Sequence, residues 1–72
     1  MTEEQTTGPI YPDIHVELAG QDGNAMSILA RVSKAMRRAS VPVDEVTKFM
    51  DEATRDDYDH LLRTCMRWVD VS

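Results

Sequence analysis

The sequence predicts an α+β fold in which one N-terminal β-strand is followed by three α-helices. Two observations lead to this prediction. Apolar and polar residues alternate in one short segment, and apolar residues then recur at steps of three and four in three later segments. With 72 residues, the chain can bury one thin core and form only one domain. We expect this domain to span residues 13–72, and the mostly polar residues 1–12 to form a flexible tail.

The strand is predicted at residues 14–19. Ile14, Val16 and Leu18 lie on one side of an extended chain, with polar or small residues between them. This alternation is typical of a strand with one buried face. Residues 20–23 combine glycines with an aspartate, and these residue types favour a turn that ends the strand.

The first helix is the clearest element of the sequence. Asn24 is suited to cap its N-terminus, and Pro42 ends it because proline cannot continue the backbone ladder. Its apolar residues fall on one arc of the helix and its basic residues on the opposite arc. The apolar residues are Ala25, Ile28, Leu29, Val32, Ala35, Met36 and Ala39, and the basic ones are Arg31, Lys34, Arg37 and Arg38.

Two shorter helices are predicted in the C-terminal half. The second helix starts near Val43 and has acids in its first turn, where the helix dipole favours them. Asp57 is suited to cap the third helix. The apolar side of the second helix comprises Val46, Phe49 or Met50, and Ala53. That of the third comprises Tyr58, Leu61, Leu62, Cys65, Trp68 and Val69.

A lone strand leaves its backbone amides and carbonyls unpaired, so the predicted strand needs a partner. Residues 10–11 are short and lie between two prolines, and residues 68–71 leave little room for a second strand. The third candidate is the same strand in another copy of the chain. We therefore expect a homodimer in which two copies of the strand pair through a surface that includes Ile14, Val16 and Leu18.

Three stretches of the sequence resemble a group of small proteins without an established function. These stretches are residues 18–26 (LAGQDGNAM), residues 52–54 (EAT) and residues 57–62 (DYDHLL). The proteins that share this pattern are encoded by actinobacteria and their bacteriophages, and the resemblance covers roughly residues 14–71. It implies a phage or prophage origin and no particular activity.

The sequence offers no set of residues for catalysis or for a cofactor. Cys65 and His60 could form a nucleophile and a base, but five residues on one helix place them about 140° apart. Cys65 is better explained as a small core residue. The acids around residues 52–59 fit a solvated helix junction, and the chain has too few soft ligands for a zinc site. We expect no catalytic residue, metal or cofactor.

The basic arc of the first helix is the one feature that could bind nucleic acid, through Arg31, Lys34 and Arg38. A net charge of −5 opposes this, and amphipathic helices expose charged residues in any case. An acidic mimic of nucleic acid, formed by residues 44–60, is a third and weaker alternative. Arg31, Lys34 and Arg38 form a candidate interaction surface together with the predicted strand.

Together these features predict a non-enzymatic phage or prophage accessory protein that acts through protein–protein contacts. Its partner would be a second copy of itself or a host protein, with nucleic-acid binding as the alternative. We expect no contact with a membrane, because no apolar run approaches the length that a span needs. A single cysteine and the absence of a signal-like N-terminus predict a cytoplasmic location.

Overall fold

The computed structural model describes residues 8–18, 20 and 23–72, which form two strands and three helices. The elements are β1 (Tyr11–Val16), α1 (Ala25–Arg38), α2 (Val43–Ala53), α3 (Tyr58–Trp68) and β2 (Val69–Val71). The predicted α+β fold with one N-terminal strand and three helices is confirmed, and a short C-terminal strand is added to it. Residues 1–7 of the predicted tail lie outside the described residues.

The strand β1 lies nearer the N-terminus than residues 14–19, where it was predicted. Its predicted alternation is confirmed, since Ile14 and Val16 are buried and His15 is exposed. Tyr11 extends the strand because its ring stacks on Trp68, with ring centroids 6.2 Å apart. That contact joins the two ends of the chain, so the local sequence pattern does not reveal it.

A parallel partner for β1 comes from the same chain. The Ser72 N–H donates to the Val16 carbonyl at 3.0 Å, and the Leu18 N–H donates to the Ser72 carbonyl at 2.7 Å. Thus β1 and β2 form a two-stranded parallel sheet. The expectation that the chain lacks an adequate internal partner is wrong, because β2 follows α3 without any connecting loop. The residues after Trp68 therefore all remain available for pairing.

The core lies between the sheet and the three helices. At its centre, Trp68 meets Phe49 edge to face, with ring centroids 5.9 Å apart. Every element contributes to this core. The buried apolar residues are Ile14, Val16, Ile28, Leu29, Val32, Met36, Val46, Phe49, Ala53, Leu61, Cys65, Trp68 and Val69.

Both predicted helix caps are present. The Asn24 side-chain oxygen accepts a hydrogen bond from the Met26 N–H at 2.8 Å. The Asp57 carboxylate accepts one from the His60 N–H at 3.0 Å. Each cap satisfies an amide that the first turn of a helix leaves unpaired.

The helix α1 ends in a tight reversal at Ser40, whose φ is 66°. The Val41 N–H reaches back to the Met36 carbonyl at 3.0 Å, and the Ser40 N–H to the Arg37 carbonyl at 3.0 Å. This pair of bonds is the Schellman arrangement, which favours glycine at the left-handed position. Serine pays a steric cost there because of its Cβ atom.

We expect Ser40→Gly to raise the free energy of unfolding by about 0.5–1 kcal/mol. The gain from relieved backbone strain exceeds the extra flexibility that glycine gives the unfolded chain. Urea denaturation followed by circular dichroism measures the change. Ser72→Gly is a control outside the reversal, and a Ser40→Gly protein no more stable than the wild type would contradict the prediction.

Candidate interaction groove

The outer edge of β1, on the side away from β2, has no neighbouring strand among the described residues. The backbone groups of Val16 and Leu18 point towards β2, as their hydrogen bonds show. Backbone groups alternate in direction along a strand, so those of His15 and Glu17 point towards the outer edge. The register is irregular between Tyr11 and His15, and this reasoning therefore starts at His15.

One flank of α1 lies beside this outer edge. Together they line an open groove of about 810 Å³, which we call the edge groove. The strand contributes residues 13–17, and the helix contributes Ser27, Arg31, Lys34 and Arg38 at helical spacing. The edge groove therefore combines unpaired backbone groups with three cations.

A smaller cavity of about 390 Å³ continues the edge groove past the C-terminal end of α1. Asp13, Ile14 and Ala39 line both spaces. The walls of the smaller cavity are largely apolar and include Ile10 and Val41. The full groove thus runs from a charged part beside α1 to an apolar end.

The cations of α1 have no acidic partner within the described part of the chain. The ion pairs found there join Arg55 to Asp51 and Arg67 to Glu52, and a further contact joins the His15 ring to Asp70. Among the described residues, the buried Nε of Arg31 also lacks a hydrogen-bond acceptor. A buried donor without an acceptor is costly, and no described residue offsets that cost for Arg31.

The sheet presents acids on its open face, which points away from the helices. Asp13, His15 and Glu17 are exposed on this face of β1, and Asp70 is exposed on β2. The Nδ1 atom of His15 lies 2.6 Å from a carboxylate oxygen of Asp70, which links the two strands. The outer edge of β1 therefore has cations on the helix side and acids on the open face.

The structure brings some of the predicted surface residues together and separates others. Arg31, Lys34 and Arg38 line the edge groove, as do the backbones of Ile14 and Val16, whose side chains are buried in the core. Leu18 packs half-buried against the core and does not line the groove. Asp13, His15 and Glu17 also belong to this surface, and the alternation in the sequence could have pointed to them.

Cys65 and His60, the candidate nucleophile and base, have separate structural roles. Burial raises the pKa of the Cys65 thiol to about 11, so the thiol is protonated at neutral pH and a poor nucleophile. The Nε2 of His60 lies 2.8 Å from the backbone carbonyl of Glu52, and its N–H donates to that oxygen. His60 therefore ties α3 to the end of α2.

A search of the described residues finds no group of three or more His, Cys, Asp or Glu that could hold a metal ion. Within the same residues, no helix has both the length and the apolar character that crossing a membrane requires.

Glu52 joins α2 to α3 through its carboxylate. One carboxylate oxygen accepts hydrogen bonds from Trp68 Nε1 at 2.8 Å and from the guanidinium of Arg67 at 2.5 Å. The bond from Trp68 and then that from Arg67 lower the pKa of Glu52 below its ordinary value of 4.5. Both bonds favour the charged form.

We expect Glu52→Gln to remove part of the acid sensitivity of the fold. The lowered pKa stabilises the folded state above pH 4.5, and this contribution is lost as the pH falls through the lower pKa of the folded state. The stability advantage of the wild type over Glu52→Gln should therefore be largest near neutral pH and disappear in acid.

Urea denaturation at a series of pH values tests this, with Asp56→Asn as a control for an exposed acid. A stability difference between the wild type and Glu52→Gln that stays constant with pH would contradict the role given to the carboxylate.

Comparison of the chain with protein-family models, curated proteins and solved structures finds no match. The resemblance to small proteins of actinobacteria and their bacteriophages therefore stays a prediction, and the functional argument depends on the edge groove alone.

Proposed function

We propose that this protein acts by binding another protein in the edge groove and that it performs no chemistry of its own. One observation carries the proposal: unpaired backbone groups of β1 and cations of α1 without acidic partners line the same groove. An accessory role in a phage or prophage, with a host protein as the partner, extends this proposal and depends on the sequence resemblance.

The physical basis is the exposed strand edge. Unpaired amides and carbonyls on such an edge readily accept a further strand, and many peptide-binding domains use this mode. Proteins without a ligand at such an edge usually block it with a bulge, a proline or inward-pointing charges. Among the described residues, Pro12 and the irregular register that follows it protect the first part of this edge, whereas neither a proline nor a bulge protects it at His15 and Glu17.

Affinity capture with matched variants tests the proposal. The groove variant carries Arg31→Gln, Lys34→Gln and Arg38→Gln. The control variant carries Arg37→Gln, Lys48→Gln and Arg63→Gln, which remove the same charge at exposed positions outside the groove. Both are compared with the wild type in an actinobacterial lysate, with and without nuclease treatment.

We expect one or more proteins to be retained by the wild type and the control variant and released by the groove variant. Equal retention by all three proteins would place the interaction elsewhere. Retention that nuclease treatment abolishes would contradict a protein partner.

The homodimer expected from the sequence would use the same edge of β1, and the charges on this edge disfavour it. An antiparallel ribbon of two β1 strands would place Asp13 and Glu17 of both copies on one face, where like charges repel. It would also bring the cations of two α1 helices close together. A partner with a different sequence avoids both effects, and light scattering distinguishes a monomer from a dimer directly.

Nucleic acid is the second candidate, because Arg31, Lys34 and Arg38 face one open groove. The acids Asp13 and Glu17 line the same groove, and the net charge of −5 repels phosphates at longer range. We expect oligo(dT) to bind weakly at physiological salt. Tight, salt-sensitive binding that the groove variant loses would favour nucleic acid over a protein partner.

A further inference from the structure

We infer that the occupant of the edge groove is an extended segment of a partner protein with acidic side chains at alternate positions. This inference rests on the proposed function and specifies the ligand of the same groove. The segment adds to the outer edge of β1 as a third strand: it accepts hydrogen bonds from the free N–H groups of His15 and Glu17 and donates to their carbonyls.

The two sides of the added strand meet different charges. Successive side chains of a strand point to opposite faces, so every second side chain faces α1 and the others face the open side of the sheet. The helix side presents Arg31, Lys34 and Arg38, whereas the open face presents Asp13 and Glu17. Acidic residues are therefore favoured at the positions facing α1, and basic residues at the positions between them.

The spacing of the cations suits this pattern. Arg31 and Arg38 are seven residues apart on a helix, which corresponds to about 10.5 Å along its axis, with Lys34 between them. Side chains on one face of a strand recur at about 6.6 Å. Two or three successive acidic side chains of the segment therefore lie within reach of the three cations.

The arrangement of cations and acids around the groove favours this segment over nucleic acid and over a second copy of β1. A nucleic-acid strand carries a phosphate at every nucleotide, so it cannot present negative charge to α1 alone and avoid Asp13 and Glu17. A second copy of β1 brings its own acids onto the acidic open face. An extended segment with alternating charges satisfies both walls of the groove at once.

The apolar end of the groove adds a second feature to the ligand. Ile10 is 53% exposed and, with Val41 and Pro42, lines the smaller cavity that continues the groove. Burying one apolar side chain of the partner there removes apolar surface from water on both molecules. We therefore infer an apolar residue next to the acidic positions at that end of the segment.

Two synthetic peptides of identical composition test the inference. One carries three Glu-Lys repeats, and the other carries three Glu followed by three Lys. Both are neutral overall, so a difference in their affinity does not come from net charge. Fluorescence anisotropy of the labelled peptides measures binding to the wild type, the groove variant and the control variant at two salt concentrations.

We expect the alternating peptide to bind the wild type about tenfold more tightly than the block peptide. Each surface ion pair is weak, but two or three of them together add up to a difference of this size. The groove variant should lose this preference, and the control variant should keep it. Bound alternating peptide should also slow amide hydrogen exchange at His15 and Glu17 in the wild type, a readout that needs no substitution.

Equal affinity for the two peptides, or exchange at His15 and Glu17 that the bound peptide leaves unchanged, would overturn the inference. Tighter binding of oligo(dT) that displaces the peptide would identify nucleic acid as the occupant of the groove. A dimer seen by light scattering, with slow exchange at this edge, would identify a second copy of the chain as the occupant. If capture depends on the groove but both peptides fail, the proposed function stands and the strand pattern is wrong. If the alternating peptide binds but capture does not depend on the groove, the strand pattern stands and the proposed function is wrong.

Discussion

Replacing Trp68 with alanine should lower the free energy of unfolding by about 3–5 kcal/mol, the usual cost of deleting a buried aromatic side chain. A domain of this size has a total stability of roughly 4–11 kcal/mol. Trp68→Ala therefore removes a large fraction of the total stability, and we expect it to unfold at a much lower urea concentration than the wild type.

The reason lies in the number of elements that Trp68 connects. Its ring stacks on Tyr11 of β1 and meets Phe49 of α2 edge to face. Its indole N–H donates to the Glu52 carboxylate, which the substitution leaves with fewer partners. The loss thus combines a cavity, two aromatic contacts and a charge-assisted hydrogen bond.

Urea denaturation and near-ultraviolet circular dichroism measure this effect. Met66→Ala is the matched control, since Met66 lies on the same helix and is 60% exposed. Its stability should stay within about 0.5 kcal/mol of the wild type. A Trp68→Ala protein that loses less than about 1 kcal/mol would show that Trp68 is not the centre of the core.

Reversing the charge of the edge groove should weaken binding of the alternating Glu-Lys peptide by about 10- to 100-fold. The reversed variant carries Arg31→Glu, Lys34→Glu and Arg38→Glu. Three weak attractions become three repulsions. Each attraction or repulsion contributes a few tenths to about 1 kcal/mol, and their sum gives the expected loss of affinity. Both walls of the groove are then acidic, so a peptide of alternating Lys and Thr should bind the reversed variant better than it binds the wild type.

A charge-matched control separates local from overall electrostatics in this experiment. The variant with Arg37→Glu, Lys48→Glu and Arg63→Glu has the same net charge as the reversed variant but leaves the groove intact. It should keep most of the affinity for the Glu-Lys peptide. Equal losses in both variants would mean that net charge, and not the edge groove, governs binding.

The helices could be predicted from the sequence because local features define them. The apolar arc of α1, the caps Asn24 and Asp57, and the break at Pro42 each act within a few residues. The N-terminal bounds of the helices accordingly match the sequence pattern closely. The left-handed Ser40 was missed, because serine is an uncommon residue at that position.

The sheet depends on contacts between the two ends of the chain, and the sequence pattern could not supply them. The stacking of Tyr11 on Trp68 moves β1 towards the N-terminus. The parallel partner β2 has only three residues, which is near the lower limit for a strand. Its pairing becomes clear only once α3 places Val69 in the core.

Only the part of the candidate site that depends on local sequence could be predicted. Helical spacing alone groups Arg31, Lys34 and Arg38 on one side of α1. The direction of the backbone groups of His15 and Glu17 depends on the register between β1 and β2, which is a tertiary property. The sequence therefore indicated the cations but not the strand edge beside them.

The availability of the outer edge of β1 is the central claim, and amide hydrogen exchange measured by NMR on the free protein tests it most directly. Among residues 14–18, we expect slow exchange at Val16 and Leu18, which face β2, and fast exchange at His15 and Glu17, which face the edge groove. Light scattering on the same sample should report a monomer. Slow exchange at all four amides in the free protein would contradict the claim, because the outer edge would then already be paired.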